Sequence, residues 1–183
     1  MKNLRLLVLA LPLAALMLSS VAIAADGGFT ADQAFKTMLT LDGTWTGDAV
    51  VVPVGQSRAD GTASSTTVTY KTIGNSTSVM ATFAAGTASE MVSMYHQDGE
   101  DTLIHTHYCA VGNQPSMTFT ATVEKGVIDF QFTKGTNMDV NADYHVHNSW
   151  LKIIDEDHFE SRSERWGGGK LMSYRYTTMT RVK

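Results

Sequence analysis

The chain has a single cysteine, Cys109, among 183 residues. It can form no disulfide within itself, so in an oxidising compartment the thiol is expected to be buried, bound or paired with another molecule. Basic residues are in the minority, 14 Lys and Arg against 18 Asp and Glu, for a net charge of −4. That balance argues against nucleic acid and against an anionic membrane surface as partners. After the first two dozen residues no apolar run approaches the length of a membrane-spanning helix. No internal repeat, low-complexity tract or linker stands out. Met-x-Met spacing is absent too, so the ten methionines read as core filler rather than a copper box.

The first 24 residues have the form of a cleaved signal peptide. Lys2 and Arg5 make a basic start, Leu6 to Leu18 an apolar stretch, and Ala22-Ile23-Ala24 a small-x-small cleavage site. The expectation is a secreted or periplasmic protein. Cleavage after Ala24 leaves 159 residues with a net charge of −6, enough for one domain, 25–183, with a sizeable core.

One helix is expected, from Phe29 to Leu41. Thr30 and Gln33 have capping-box spacing, in which each side chain satisfies the other's free amide. Phe35, Met38 and Leu39 form a narrow apolar stripe. From Asp42-Gly43 onward, short β-branched segments are broken by Gly, Asn and Asp, the pattern of a β-meander. Strands are predicted near 44–54, 64–73, 76–83, 90–97, 102–109, 116–123, 127–132, 144–154, 159–166 and 170–181. Gly55 to Gly61 and Lys134 to Asn141 read as longer loops. Ten strands in series favour an up-and-down barrel, because closure leaves no strand edge unpaired.

Chemistry concentrates in two stretches. His105-Thr106-His107-Tyr108-Cys109 runs into Gly112-Asn113-Gln114-Pro115, and Asp143-Tyr144-His145-Val146-His147 follows some 40 residues later; together they hold four of the six histidines. Alternation along a strand puts His105, His107 and Cys109 on one face, and Asp143, His145 and His147 on one face. Ser149, Leu151 and Ile153 share parity with the second pair, which tilts it inward. For the first pair Leu103 agrees but Ile104 and Tyr108 do not, so its direction is open.

Leu41-Asp42-Gly43-Thr44-Trp45-Thr46-Gly47, between the helix and the first strand, resembles the Gly-x-Trp signature that opens lipocalin-like (calycin) barrels. The resemblance implies that the helix plugs one end, that Trp45 packs over it, and that Arg175 or Arg181 stacks on Trp45. His107-Tyr108-Cys109, Gly112-Asn113-Gln114-Pro115, His145-x-His147 and Asp157-His158-Phe159 resemble a group of secreted bacterial lipocalin-like proteins of unknown function. Arg162-Ser163 departs from the Glu-Trp pair expected there. Related ten-stranded barrels include haem-binding nitrobindin-like proteins with a histidine ligand near the C-terminal end. Here none follows His158, so a haem ligand would have to come from another strand.

Two readings of the histidines follow. If both pairs face one interior, His105, His107, His145 and His147 could hold Zn²⁺ or another divalent transition metal, with Cys109 as a thiolate nearby. If not, they are polar interior residues bonded to backbone, water and each other. A cupin site needs a Glu a few residues after the pair, where Val111 and Leu151 stand, so that reading fails. Cys109 with His107 makes a poor nucleophile pair, since same-face neighbours on a strand stand roughly 6–7 Å apart. The expected fold is all-β, a lipocalin-like barrel of about ten antiparallel strands. The expected function is binding of a small apolar ligand or a metal, at His105, His107, Cys109, Asn113, Gln114, His145, His147 and Trp45. A metal-dependent hydrolase on the same histidines, with Glu90, Glu164 or Asp143 as acid or base, is the alternative. A structural or interaction protein without ligand is the third reading.

Overall fold

The computed structural model describes residues 29–183; the signal-peptide stretch lies outside them. Helix α1 spans Ala31–Leu39 and is followed by ten strands. These are β1 (Gly43–Pro53), β2 (Thr62–Ile73), β3 (Ser78–Phe83), β4 (Met91–Gln97), β5 (Leu103–Tyr108), β6 (Gln114–Thr120), β7 (Val127–Thr136), β8 (His145–Ile153), β9 (His158–Gly167) and β10 (Lys170–Arg181). Each strand pairs antiparallel with its sequence neighbours, and β1 pairs with β10 to close the barrel. The seam runs in unbroken register from Trp45 opposite Arg181 to Pro53 opposite Ser173.

The helix starts where its capping box does. Thr30 Oγ1 accepts from the Gln33 amide at 3.2 Å, and Gln33 Oε1 accepts from the Thr30 amide at 2.9 Å. Ala31, Ala34, Phe35 and Met38 are buried in a core with Leu41, Trp45, Tyr70, Phe159 and Met179, so α1 plugs one end of the barrel. Trp45 is 1 % exposed, donates from Nε1 to the Leu41 carbonyl at 2.8 Å, and meets Phe159 edge to face. A side chain of this size contributes about 1.5–3 kcal/mol when fully buried.

Arg181 locks the plug. Its guanidinium lies 4.2 Å from the centre of the Trp45 ring and donates to the carbonyls of Thr40, Asp42 and Glu156. The Thr40 carbonyl, at the helix C-cap, has no partner within the helix, and a cation is the favoured donor there. Of the two arginines that the resemblance offered for Trp45, Arg181 takes the role; Arg175 lies elsewhere.

Two strand ends depart from expectation. Gln114 and Pro115, read as loop, begin β6, and β7 runs on to Thr136 instead of stopping near 132. The two extensions pair with each other across a bulge at Ser116/Met117. A bulge inserts one residue into a strand, so the alternation of side chains breaks there and the sequence signal breaks with it.

Candidate functional site

Above the plug the barrel encloses a cavity of about 210 Å³. Its apolar lining comes from Phe83, Met91, Val146 and Leu151, with the rings of Tyr70 and Tyr95. Burial raises the pKa of both phenols, so they stay neutral. Ala84 and Tyr144, both exposed, also stand in the lining, so the cavity meets the surface at the end away from α1. An engineered 150 Å³ apolar cavity is known to bind benzene, and drug-sized ligands use about 300 Å³ or more, so this space suits a molecule between those sizes.

The first histidine pair faces this cavity. Leu103, His105 and His107 are 0 %, 4 % and 6 % exposed, while Tyr108 is exposed on the outer face. The rings belong to a hydrogen-bonded chain. Ser149 Oγ is 3.4 Å from His105 Nδ1, His105 Nε2 is 2.9 Å from Ser93 Oγ, and Ser93 Oγ is 3.0 Å from His107 Nδ1. The chain ends at His107 Nε2, which is buried and has no partner. Burial holds His105 well below the ordinary histidine pKa, with His107 adding to the effect. Burial first, and then the positive charge of Arg165, push His107 down to about 4. Both rings are therefore neutral at pH 7.

His145 and His147 are not in the lining; Val146 and Ser149 are. The register of β8 on β9 shifts between Val146 and Ser149, so one extra residue cancels the parity that joined the second pair to Ser149 and Leu151. His145 is fully buried, with Nδ1 donating to the Asp143 carbonyl at 2.9 Å and Nε2 3.0 Å from His147 Nδ1. His147 is stacked between Phe132 and Trp166, with ring centres 4.3 and 4.0 Å away. This stack fills the wall beyond the β7–β8 ladder, which runs from Val127 to Phe130.

The four histidines expected at one centre are thus split between the cavity and the wall. Among the described residues no three His, Cys, Asp or Glu side chains are placed to hold a metal. His105 and His145 each have both ring nitrogens in hydrogen bonds, which a metal would have to break. A zinc or other divalent-metal site on these residues does not fit.

The other expected site residues divide as well. Cys109 lines the cavity, half-buried and free, with Met91 Sδ 4.0 Å from its sulfur. Asn113 is buried but ties two loops together, donating from Nδ2 to the Tyr144 carbonyl at 2.8 Å. Gln114 binds the Gly112 carbonyl and Thr136. Trp45 belongs to the plug. None of these three lines the cavity. The acids nominated for catalysis are outside it too. Glu90 and Asp143 accept backbone amides in loops, and Glu164 accepts from Asn148 and Trp166.

The cavity also holds residues that the sequence reading did not nominate for the site: Ser93, Tyr70, Tyr95, Arg165 and Arg175. Along Ser161-Arg162-Ser163-Glu164-Arg165 both faces are polar, so alternation gave no inward direction. The missing signal was the pairing partner: Arg175 sits opposite Ser163, and Arg165 opposite Val146, which places both inside.

Fold and site define a closed ten-stranded antiparallel barrel with a helix plug and an internal cavity. Solved structures with a similar fold include a protein of unknown function from the DUF3598 family of Nostoc punctiforme PCC 73102. That match has 16% identity and a TM-score of 0.56, and covers 79% of this chain and 49% of that one, so this chain spans about half its length. Another is Rv2717c of M. tuberculosis, with 14% identity, a TM-score of 0.58, and 82% and 98% of the two chains covered. At these identities the likeness shows the fold alone. No protein-family model and no curated protein matches the chain.

Proposed function

We propose that this protein is a lipocalin-like binding protein, exported through its N-terminal signal segment, that holds a small, mainly apolar molecule inside the barrel. The observation that carries the reading is the cavity itself. A space of about 210 Å³ among Tyr70, Phe83, Met91, Tyr95, Val146 and Leu151 is walled by apolar surface and meets the exterior at one end. Apolar space of that size is emptied of water at little cost and filled with gain by an apolar guest. Binding is favoured over metal-dependent hydrolysis because, among the described residues, no three imidazoles converge and no carboxylate lines the cavity.

Titration of the mature protein with toluene, followed by NMR on the cavity residues, tests this. Saturable shifts at Tyr70, Tyr95 and His107 are expected, with a gain of roughly 1.4 kcal/mol in stability at ten times Kd. A Val146→Trp variant, which fills the space, should lose both. If toluene, indole and cyclohexanol all leave the cavity resonances unmoved, the barrel is not a binding site for small apolar molecules.

A further inference from the structure

With Arg162, which pairs with Glu164, Arg165 and Arg175 line a mainly apolar cavity that no Asp or Glu among the described residues enters. Neither forms an ion pair among the described residues. Buried charges in proteins are ordinarily paired, because taking a guanidinium out of water without a counter-charge is costly. Both guanidiniums are half-buried and they repel: burial lowers the pKa of Arg175, and the charge of Arg165 lowers it further. Arg175 is held in place by a 2.9 Å hydrogen bond from Nη2 to Thr66 Oγ1. His107, within the field of Arg165, lines the same space and has a buried Nε2 without a partner. His107 Nε2 thus stands without an acceptor, and the guanidiniums of Arg165 and Arg175 without a counter-charge, in a cavity whose lining is mainly apolar.

Building on the reading that the cavity takes a small apolar guest, we infer that this guest is a carboxylic acid. Its carboxylate sits against Arg165 and Arg175, its apolar body against Tyr70, Phe83 and Tyr95. A guanidinium is the side chain that matches a carboxylate in shape as well as charge, through paired N–H donors. The serine–histidine chain can supply a third donor. In the tautomer with Ser149 donating to His105 Nδ1, His105 Nε2–H to Ser93, and Ser93 to His107 Nδ1, the proton of His107 is on Nε2. The reverse arrangement keeps the same links and leaves Nε2 a bare acceptor, so a bound carboxylate selects the first, in which His107 donates without being charged. The cavity volume limits the acid to a short one, an aryl-alkanoate or a chain of comparable bulk.

Calorimetric titration of the mature protein with 3-phenylpropionate, its neutral amide and inorganic phosphate separates the possibilities. The acid is expected to bind roughly ten- to a hundredfold more tightly than the amide, the range of one or two charge-assisted hydrogen bonds. Arg165→Met and Arg175→Met should bring the acid down to the level of the amide and leave the amide unchanged. The wild-type comparison needs no variant, so the inference stays testable if a substitution disturbs folding. Equal affinity for acid and amide overturns the carboxylate site and leaves the cavity-binding reading standing. Binding of neither, with toluene also failing, overturns both. Phosphate binding as tightly as the acid overturns the apolar-acid class.

Discussion

His107 is the residue on which the chemistry of the cavity turns. Its ring is neutral because burial and Arg165 make a second positive charge unfavourable. The folded state therefore binds fewer protons at this site than the unfolded chain, whose histidine titrates near 6.5. Where the unfolded state binds more protons, stability rises with pH. Stability is thus complete above about pH 6.5 and declines as pH falls, with the His107 share of the loss ending near 4. At pH 5 that share is about 2 kcal/mol, and His105, also held low by burial, adds to it. Urea unfolding at pH 7.5 and pH 5 measures the difference. A stability that does not change between them would mean that the two rings are not neutral and buried together.

At the scale of the element, α1 matters as a plug held from both ends. Its N-terminus is closed by Thr30 and Gln33, its C-terminus by a residue 141 positions further on, Arg181, donating to the Thr40 carbonyl. Arg181 joins the first turn after the helix, the Trp45 ring and the last residues of the barrel through one planar group. A lysine can stand over the ring but cannot reach three carbonyls in a fork. Arg181→Lys is expected to destabilise the protein by about 1–3 kcal/mol, measured by chemical denaturation, while leaving binding in the cavity unchanged. A loss below about 0.5 kcal/mol would show that the plug is held by apolar packing alone.

The whole molecule depends on one seam, β1 against β10, which joins the two ends of the meander. Gly47 lies in it opposite Met179, where an added Cβ would run into the backbone carbonyl of Thr178. Backbone cannot move aside without opening the ladder. Gly47→Ala is expected to lower stability by more than about 2 kcal/mol, and to weaken every ligand, since an open barrel no longer encloses the space. Thermal unfolding and the toluene titration read the two effects. A variant as stable as wild type would mean that the seam has slack.

Much of this was legible in order along the chain. The capping box, the ten strands, the barrel and the Gly43-Thr44-Trp45 junction follow from local periodicity and turn chemistry, which act between residues close in sequence. Even the first histidine pair and Cys109 were found as a cluster. What one strand cannot reveal is which of its faces looks inward once a bulge intervenes. His145 and His147 share parity with Ser149 by count, yet the shift before Ser149 removes them from the cavity. Arg165 and Arg175 came in through partners on other strands, and no local pattern singles them out. A ten-stranded barrel plugged by a helix can be read along the chain, because each element answers to its own residues. What the interior contains is set by the closing of the barrel, because the interior belongs to all the strands at once.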